Sequence, residues 1–126
     1  MRKKLAAISL VIVAFVAFSV PLFAHHGTSV YDLTKTVTVK GTVTDYVWAN
    51  PHVYVKVDAK DEGGNIVHWD LEAQNPLSER NVGWSKNTFK PGDEVEIDAK
   101  PAKNGRPVGS IGYTTRIIIN GKQFKP

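Results

Sequence analysis

The chain predicts an all-β fold, a five-stranded OB-like Greek-key barrel with a short helix between strands 3 and 4, preceded by an N-terminal signal helix. Three observations lead there. Apolar residues alternate with period two over five separate segments, a single helical interruption falls between the third and fourth, and a glycine sits on the inward face of a long first strand. A plain antiparallel sandwich is the competing arrangement; the bendable first strand and the slot of the helix favour the barrel.

The first strand spans roughly residues 36–48, with Val37, Val39, Gly41 and Val43 inward and Thr38, Lys40, Thr42 and Thr44 outward. Gly41 allows the sharp bend by which one strand serves both sides of a small barrel. Asn50-Pro51 is a turn signal. The second strand, near 52–59, turns Val53, Val55 and Val57 inward and His52, Tyr54 and Lys56 outward. The third, near 65–73, carries Val67, Trp69 and Leu71 on one face and His68, Asp70 and Glu72 on the other. A three-residue loop Glu62-Gly63-Gly64 pairs Asp58 with His68, Val57 with Trp69, Lys56 with Asp70 and Val55 with Leu71. A two-residue Gly63-Gly64 turn would instead set Asp70 and Glu72 against the core valines, at high cost.

Asn75-Pro76 opens a short helix through Leu77, Ser78, Glu79 and Arg80 that ends near Gly83. Pro91-Gly92-Asp93 then turns the chain into a fourth strand near 93–100, with Val95, Ile97 and Ala99 inward and Glu94, Glu96 and Asp98 outward. One long last strand is expected from Val108 to Ile119, followed by a turn at Asn120-Gly121. All five strands are expected to be antiparallel, and the core to contain Val37, Val39, Val43, Val53, Val55, Val57, Trp69, Leu71, Val95 and Ile97.

Residues 1–24 have the three parts of a secretory signal peptide: basic Arg2, Lys3 and Lys4, an apolar run from Leu5 to Phe18, and Pro21-Leu22-Phe23-Ala24 before the cut. Cleavage after Ala24 leaves His25 as the first residue of a periplasmic or secreted bacterial protein, with membrane contact only during export. The chain then divides into the signal peptide (1–24), an N-terminal segment (25–35) and the barrel domain (36–126). The signal takes three of sixteen basic residues with it, so thirteen face twelve acidic ones and the mature charge is near +1. That balance gives no warrant for a nucleic-acid partner. The chain has no cysteine, which excludes disulfides, thiolate metal sites and a cysteine nucleophile, and its one methionine is Met1.

Several pieces together resemble an uncharacterised bacterial family of small exported proteins, domain of unknown function 6152. They are Ala24-His25-His26-Gly27, Lys40-Gly41-Thr42-Val43, Trp48-Ala49-Asn50-Pro51-His52, Trp69 with Glu72, Gly83-Trp84 and Lys90-Pro91-Gly92-Asp93. The resemblance covers nearly the whole mature region and implies export and a small β-barrel. It implies no activity.

Function is therefore sought in sites. No nucleophile elbow, phosphate loop or dinucleotide fingerprint is present, and Asp70 with Glu72, or Glu94 with Glu96, read as solvated acids on an outer sheet face. No catalytic residue is assigned, and the chain reads as a non-catalytic binding or scaffold module for an unidentified small ligand, metal or protein. The first alternative is a copper(II)-binding protein. An N-terminal histidine chelates through its amino and ring nitrogens, a donor set suited to copper(II), so His25, His26 and His52 are the candidate metal ligands. His68 is excluded, because the register puts it about 20 Å from His52 along the sheet. Reaching His52 requires the segment from His25 to Lys35, extensible to about 36 Å, to run back along the first strand. The competing ligand site is the first hairpin, with Trp48, Asn50, His52 and Tyr54 at the barrel end where OB folds take ligands. Trp84 is expected to pack the helical link against the barrel end. The second alternative is a protein-interaction or assembly component using a strand edge or that hairpin.

Overall fold

The computed structural model describes residues 30–113 and 115–125; the expected signal helix, His25 and His26 lie outside them. Among the described residues, seven strands and one helix follow in the order β1 (Val37–Val47), β2 (Tyr54–Lys60), β3 (Ile66–Glu72), α1 (Pro76–Asn81), β4 (Glu94–Pro101), β5 (Val108–Ser110), β6 (Ile117–Ile119) and β7 (Lys122–Gln123). The pairings β1–β2–β3–β5–β4 are closed by β4 on β1, giving an OB-like barrel.

Closure depends on β1. Its first half pairs with β4, from Val37 opposite Ala99 to Thr42 opposite Glu94, and its second half pairs with β2, from Gly41 opposite Ala59 to Val47 opposite Tyr54. Gly41 and Thr42 thus belong to both ladders, where the strand bends as its glycine predicts. A Cβ at Gly41 would stand 2.0 Å from the Asp58 carbonyl oxygen, so the two backbones approach as only glycine permits. The register then slips between Val43 and Asp45, a bulge at Thr44. Val43 donates its N–H to the Asp93 carbonyl (2.8 Å) and accepts from Gly92 N–H (2.8 Å), so the turn before β4 takes up the backbone groups that the bulge releases. The slip places Tyr46 opposite Val55 and turns it toward the interior, with Trp48 also packed on the core.

The β2–β3 hairpin has the register the sequence predicts, with Asp58 opposite His68 and Val57 opposite Trp69. Asp61 N–H donates to the Asn65 carbonyl (2.9 Å), closing a three-residue loop in which Gly64 takes φ 82°. Helix α1 begins as expected, Asn75 capping it by accepting from Ser78 N–H at 3.0 Å with Pro76 in the first turn.

The end of the chain departs from expectation. The single strand from Val108 to Ile119 is two strands separated by a turn, in which Gly112 N–H donates to Thr115 Oγ1 (2.9 Å) and Thr115 N–H to the Gly112 carbonyl (3.1 Å). The break has a topological cause. β5 must lie between β3 and the far end of β4, while β6 lies beside Val95–Ile97 at the near end, and no straight strand reaches both. The strands are also not all antiparallel, because β5 runs parallel to β3. Asn120 and Gly121, at φ 50° and 77°, form the final turn. The core is Val39, Val43, Val53, Val55, Val57, Leu71, Val95 and Ile97 with Phe89, Trp84, Ile111 and Ile117. Val37 and Trp69, expected to be buried, are half-buried and packed on its edge.

Candidate functional site

Two neighbouring features mark one end of the barrel. The first is aromatic. Tyr46 lies edge-on to Phe89 (5.2 Å between centroids), Phe89 to Trp84 (5.3 Å) and Trp84 to Phe124 (6.1 Å). Trp84 thus packs the link onto the barrel, as its sequence position suggests. Trp48 extends the cluster at 6.0 Å from Tyr46, and the Arg80 guanidinium lies 5.9 Å over its ring. Trp48 is therefore largely a packing residue. Asn50 is exposed at the hairpin tip beside it. Beneath the cluster Glu79 is 2% exposed and accepts from Gln74 N–H at 2.8 Å; burial pushes its carboxyl above the ordinary value. Tyr46 donates its hydroxyl to the Ser85 carbonyl at 2.9 Å.

The second feature is polar and lies on the outer face of β2–β3. Glu72 stands opposite Tyr54 in the ladder, and His52 precedes β2 on the same face. One carboxylate oxygen of Glu72 faces His52 Nδ1 in an ion-pair contact, and the other accepts from the Tyr31 hydroxyl. The His52 and Glu72 side chains are only 24% and 20% exposed, so this charge is held out of bulk water and depends on its partners. Burial, then the hydrogen bond and negative charge of Glu72, push the Tyr31 hydroxyl up, so it remains a donor. Tyr54 is raised likewise, by burial and by the charges of Glu72 and Asp70.

Tyr31 reaches this point because the segment before β1 is docked. Tyr31 forms a β-bridge with Ala102, Asp32 N–H donates to the Pro101 carbonyl (2.8 Å) and Lys103 N–H to the Val30 carbonyl (3.0 Å). Residues 30–32 are in effect a short strand laid against the end of β4.

Of the sequence-predicted residues, the structure brings His52 and Tyr54 together around Glu72 and sets Trp48 in the aromatic cluster. His68 is kept apart, exposed and paired with Asp58 at 2.5 Å. Among the described residues no three His, Cys, Asp or Glu side chains group closely enough to hold a metal ion. The reading of the outer-face acids as merely solvated fails at Glu72, which is the hub. Its signal was available in the register, since Tyr54 opposite Glu72 puts His52 diagonally beside it. Tyr31 had no such signal. The remaining acids do lie at the surface, Glu96 with Lys40 (2.8 Å), Asp98 with Arg116 (3.1 Å) and Asp70 with Lys56 (3.3 Å).

Chemically, a carboxylate on Nδ1 fixes an imidazole in the tautomer whose lone pair is on Nε2, the arrangement common behind metal-binding histidines.

A model for a family of unknown function (DUF6152) matches residues 13–111. No curated protein matches the chain. Among solved structures, the chain is similar to a mitochondrial single-stranded DNA binding protein, Rim1 of S. cerevisiae. The identity is 9%, over 68% of this chain and 92% of that one, with a TM-score of 0.49.

Proposed function

Because this chain belongs to DUF6152, a family of unknown function, we propose a role from its own geometry: an exported, periplasmic, non-catalytic binding module that takes its ligand at the barrel end carrying Glu72, His52, Tyr54 and Tyr31. The observation that carries this reading is the convergence on Glu72 of side chains from two other stretches of chain, Tyr31 from the segment before β1 and His52 with Tyr54 from the start of β2. A half-buried carboxylate with an imidazole and tyrosine hydroxyls around it is costly to assemble and is characteristic of sites. Export is supported by the signal-peptide pattern ending at Ala24.

The ligand class favoured is copper(II), held by His25, His26 and His52. The specific support is the contact between Tyr31 and Glu72. The N-terminal segment need not run the length of the first strand to approach His52, since Tyr31 already lies against the carboxylate that holds it. From Tyr31 back to His26 is five residues, a span of about 17 Å at most.

The test is isothermal titration of copper(II) chloride into the mature chain beginning at His25, a start verified by intact mass, and into the same chain with one added N-terminal residue. Submicromolar binding by the first and a loss of tenfold or more in the second are expected, because the extension removes the amino-terminal chelate. Equal affinities would remove His25 from the site and the copper reading with it.

A further inference from the structure

A second part of the barrel wall, independent of the copper reading, lies where the start of β1, the far half of β4 and the approach to β6 meet. Along the outward face of β4 the residues Glu94, Glu96 and Asp98 are acidic, and then Lys100 is basic. Beside that last step a cavity of about 260 Å³ opens to solvent, lined by Thr36, Asp98, Ala99, Lys100, Thr115 and Arg116. The backbone fixes its walls. Val37 pairs with Ala99, which sets Thr36 beside Lys100, and Asp98 N–H donates to the Arg116 carbonyl at 3.0 Å. The turn that breaks the end of the chain, closed by Gly112 N–H on Thr115 Oγ1 (2.9 Å), brings Thr115 to the same cavity.

The chemistry of this wall is one-sided. Asp98, the one carboxylate among the described residues that line it, is fully engaged: Oδ1 accepts from Thr38 Oγ1 (2.6 Å) and Arg116 Nη2 (3.1 Å), and Oδ2 from Arg116 Nε (3.3 Å). The Thr38 bond and then Arg116 hold its carboxyl below the ordinary value, so it stays ionised and offsets the Arg116 charge. Lys100 has no such partner. Its Nζ donates to Thr36 Oγ1 at 2.9 Å, and no carboxylate among the described residues pairs with it. Donors also remain. A hydroxyl that accepts a hydrogen bond still has its own hydrogen to give, so Thr36 and Thr115 each offer one. Lys100 keeps further ammonium hydrogens, and Arg116 keeps hydrogens beyond those used on Asp98 and in a 3.5 Å contact with Glu96. Uncompensated positive charge, spare donors and no free carboxylate select an anion. The planar fork of Arg116 is already used on Asp98, and the spare donors come from four side chains, which suits a tetrahedral oxyanion better than a flat carboxylate. We propose that this cavity binds phosphate, as the inorganic ion or as the phosphoryl group of a small phosphate monoester, with Lys100 supplying the charge and Thr36, Thr115 and Arg116 the further donors.

Proton–nitrogen NMR of the metal-free mature chain, titrated at fixed ionic strength with sodium phosphate and separately with glycerol phosphate, tests it. At least one of the two should give saturable shifts concentrated at the amides of Thr36, Lys100, Thr115 and Arg116, and the tighter binder identifies whether the free ion or an ester is the ligand. Lys100→Gln keeps most of the stem and drops the charge, and should weaken binding about tenfold or more. Lys122→Gln, on β7, removes the same unit of charge outside the cavity and should bind as wild type. Thermal melts verify that both variants fold. Shifts that never saturate and spread over lysines across the surface would overturn the proposal, as would equal affinities for Lys100→Gln and wild type. Saturation by sodium acetate but by neither phosphate would overturn it in favour of a carboxylate site. The wild-type shift map needs no variant, so it decides the question even if Lys100→Gln fails to fold.

Discussion

Replacing Gly41 by alanine tests whether β1 is truly one strand shared by two ladders. The new Cβ would lie 2.0 Å from the Asp58 carbonyl oxygen, 2.8 Å from its carbon and 3.0 Å from the Ala59 Cα. Ordinary carbon–oxygen approaches begin about 1.3 Å farther out. All three obstructing atoms are backbone, so β1 and β2 must separate, and they must do so at a residue that also pairs with Val95 of β4. Overpacking of this kind costs about 1–3 kcal/mol in ordinary cores, and each ladder hydrogen bond lost adds about 1 kcal/mol. The expected total is about 3–5 kcal/mol, a large share of the roughly 5–15 kcal/mol typical of a domain. Gly64→Ala is the control: at φ 82° with nothing within 4 Å of its Cβ, it meets only the backbone strain of the left-handed region, about 1–2 kcal/mol. Urea unfolding followed by circular dichroism should show a much lower midpoint for Gly41→Ala with little change in slope. A Gly41→Ala protein no less stable than Gly64→Ala would refute the shared-strand account.

Three further outcomes are expected. Glu79 has a carboxyl raised by burial, so the folded state binds its proton more tightly than the unfolded one, and the ionised form destabilises the fold once pH exceeds both values. Glu79→Gln should therefore melt higher than wild type at pH 8, with the advantage shrinking as pH falls toward the ordinary 4.5; an advantage independent of pH would contradict the assignment. His68→Ala removes only the exposed pair with Asp58 and should cost less than about 1 kcal/mol in chemical denaturation, with no change in copper(II) affinity. The mature chain, with a net charge near +1, should show negligible affinity for single-stranded DNA at physiological salt in fluorescence anisotropy, and submicromolar, steeply salt-dependent binding would count against it.

The β2–β3 hairpin was legible residue by residue because period-two patterning admits only one register that keeps Asp70 and Glu72 off the core. Helix α1 was legible from Asn75-Pro76, since cap chemistry is local. The bulge at Thr44 was not, because it is stabilised by the backbone of Gly92 and Asp93, far along the chain. Nor was the break after Ser110. Alternation says which way a side chain faces but not which strands lie on either side, and the break follows from β5 and β6 using different stretches of β4. The site divides in the same way. His52 and Tyr54 were placed on the outer face from the pattern, whereas the Tyr31 hydroxyl reaches Glu72 from 41 residues away through a docked segment that carries no periodic signal.

The double duty of β1 also bears on the order in which the molecule can assemble. A chain exported as proposed crosses the membrane with its amino end leading, so β1, β2 and β3 emerge while the partners of Val37–Thr42 are still to come. The first three strands can form a local meander, but β1 keeps one open edge until Glu94–Ala99 arrives, and β3 keeps another until Val108–Ser110 does. Open edges of this kind invite pairing with other chains, and the missing contacts are the non-local ones that form slowly. The interval between the emergence of Thr42 and that of Glu94 is thus when a nascent copy is most exposed to aggregation and when a chaperone that shields strand edges would have most to hold.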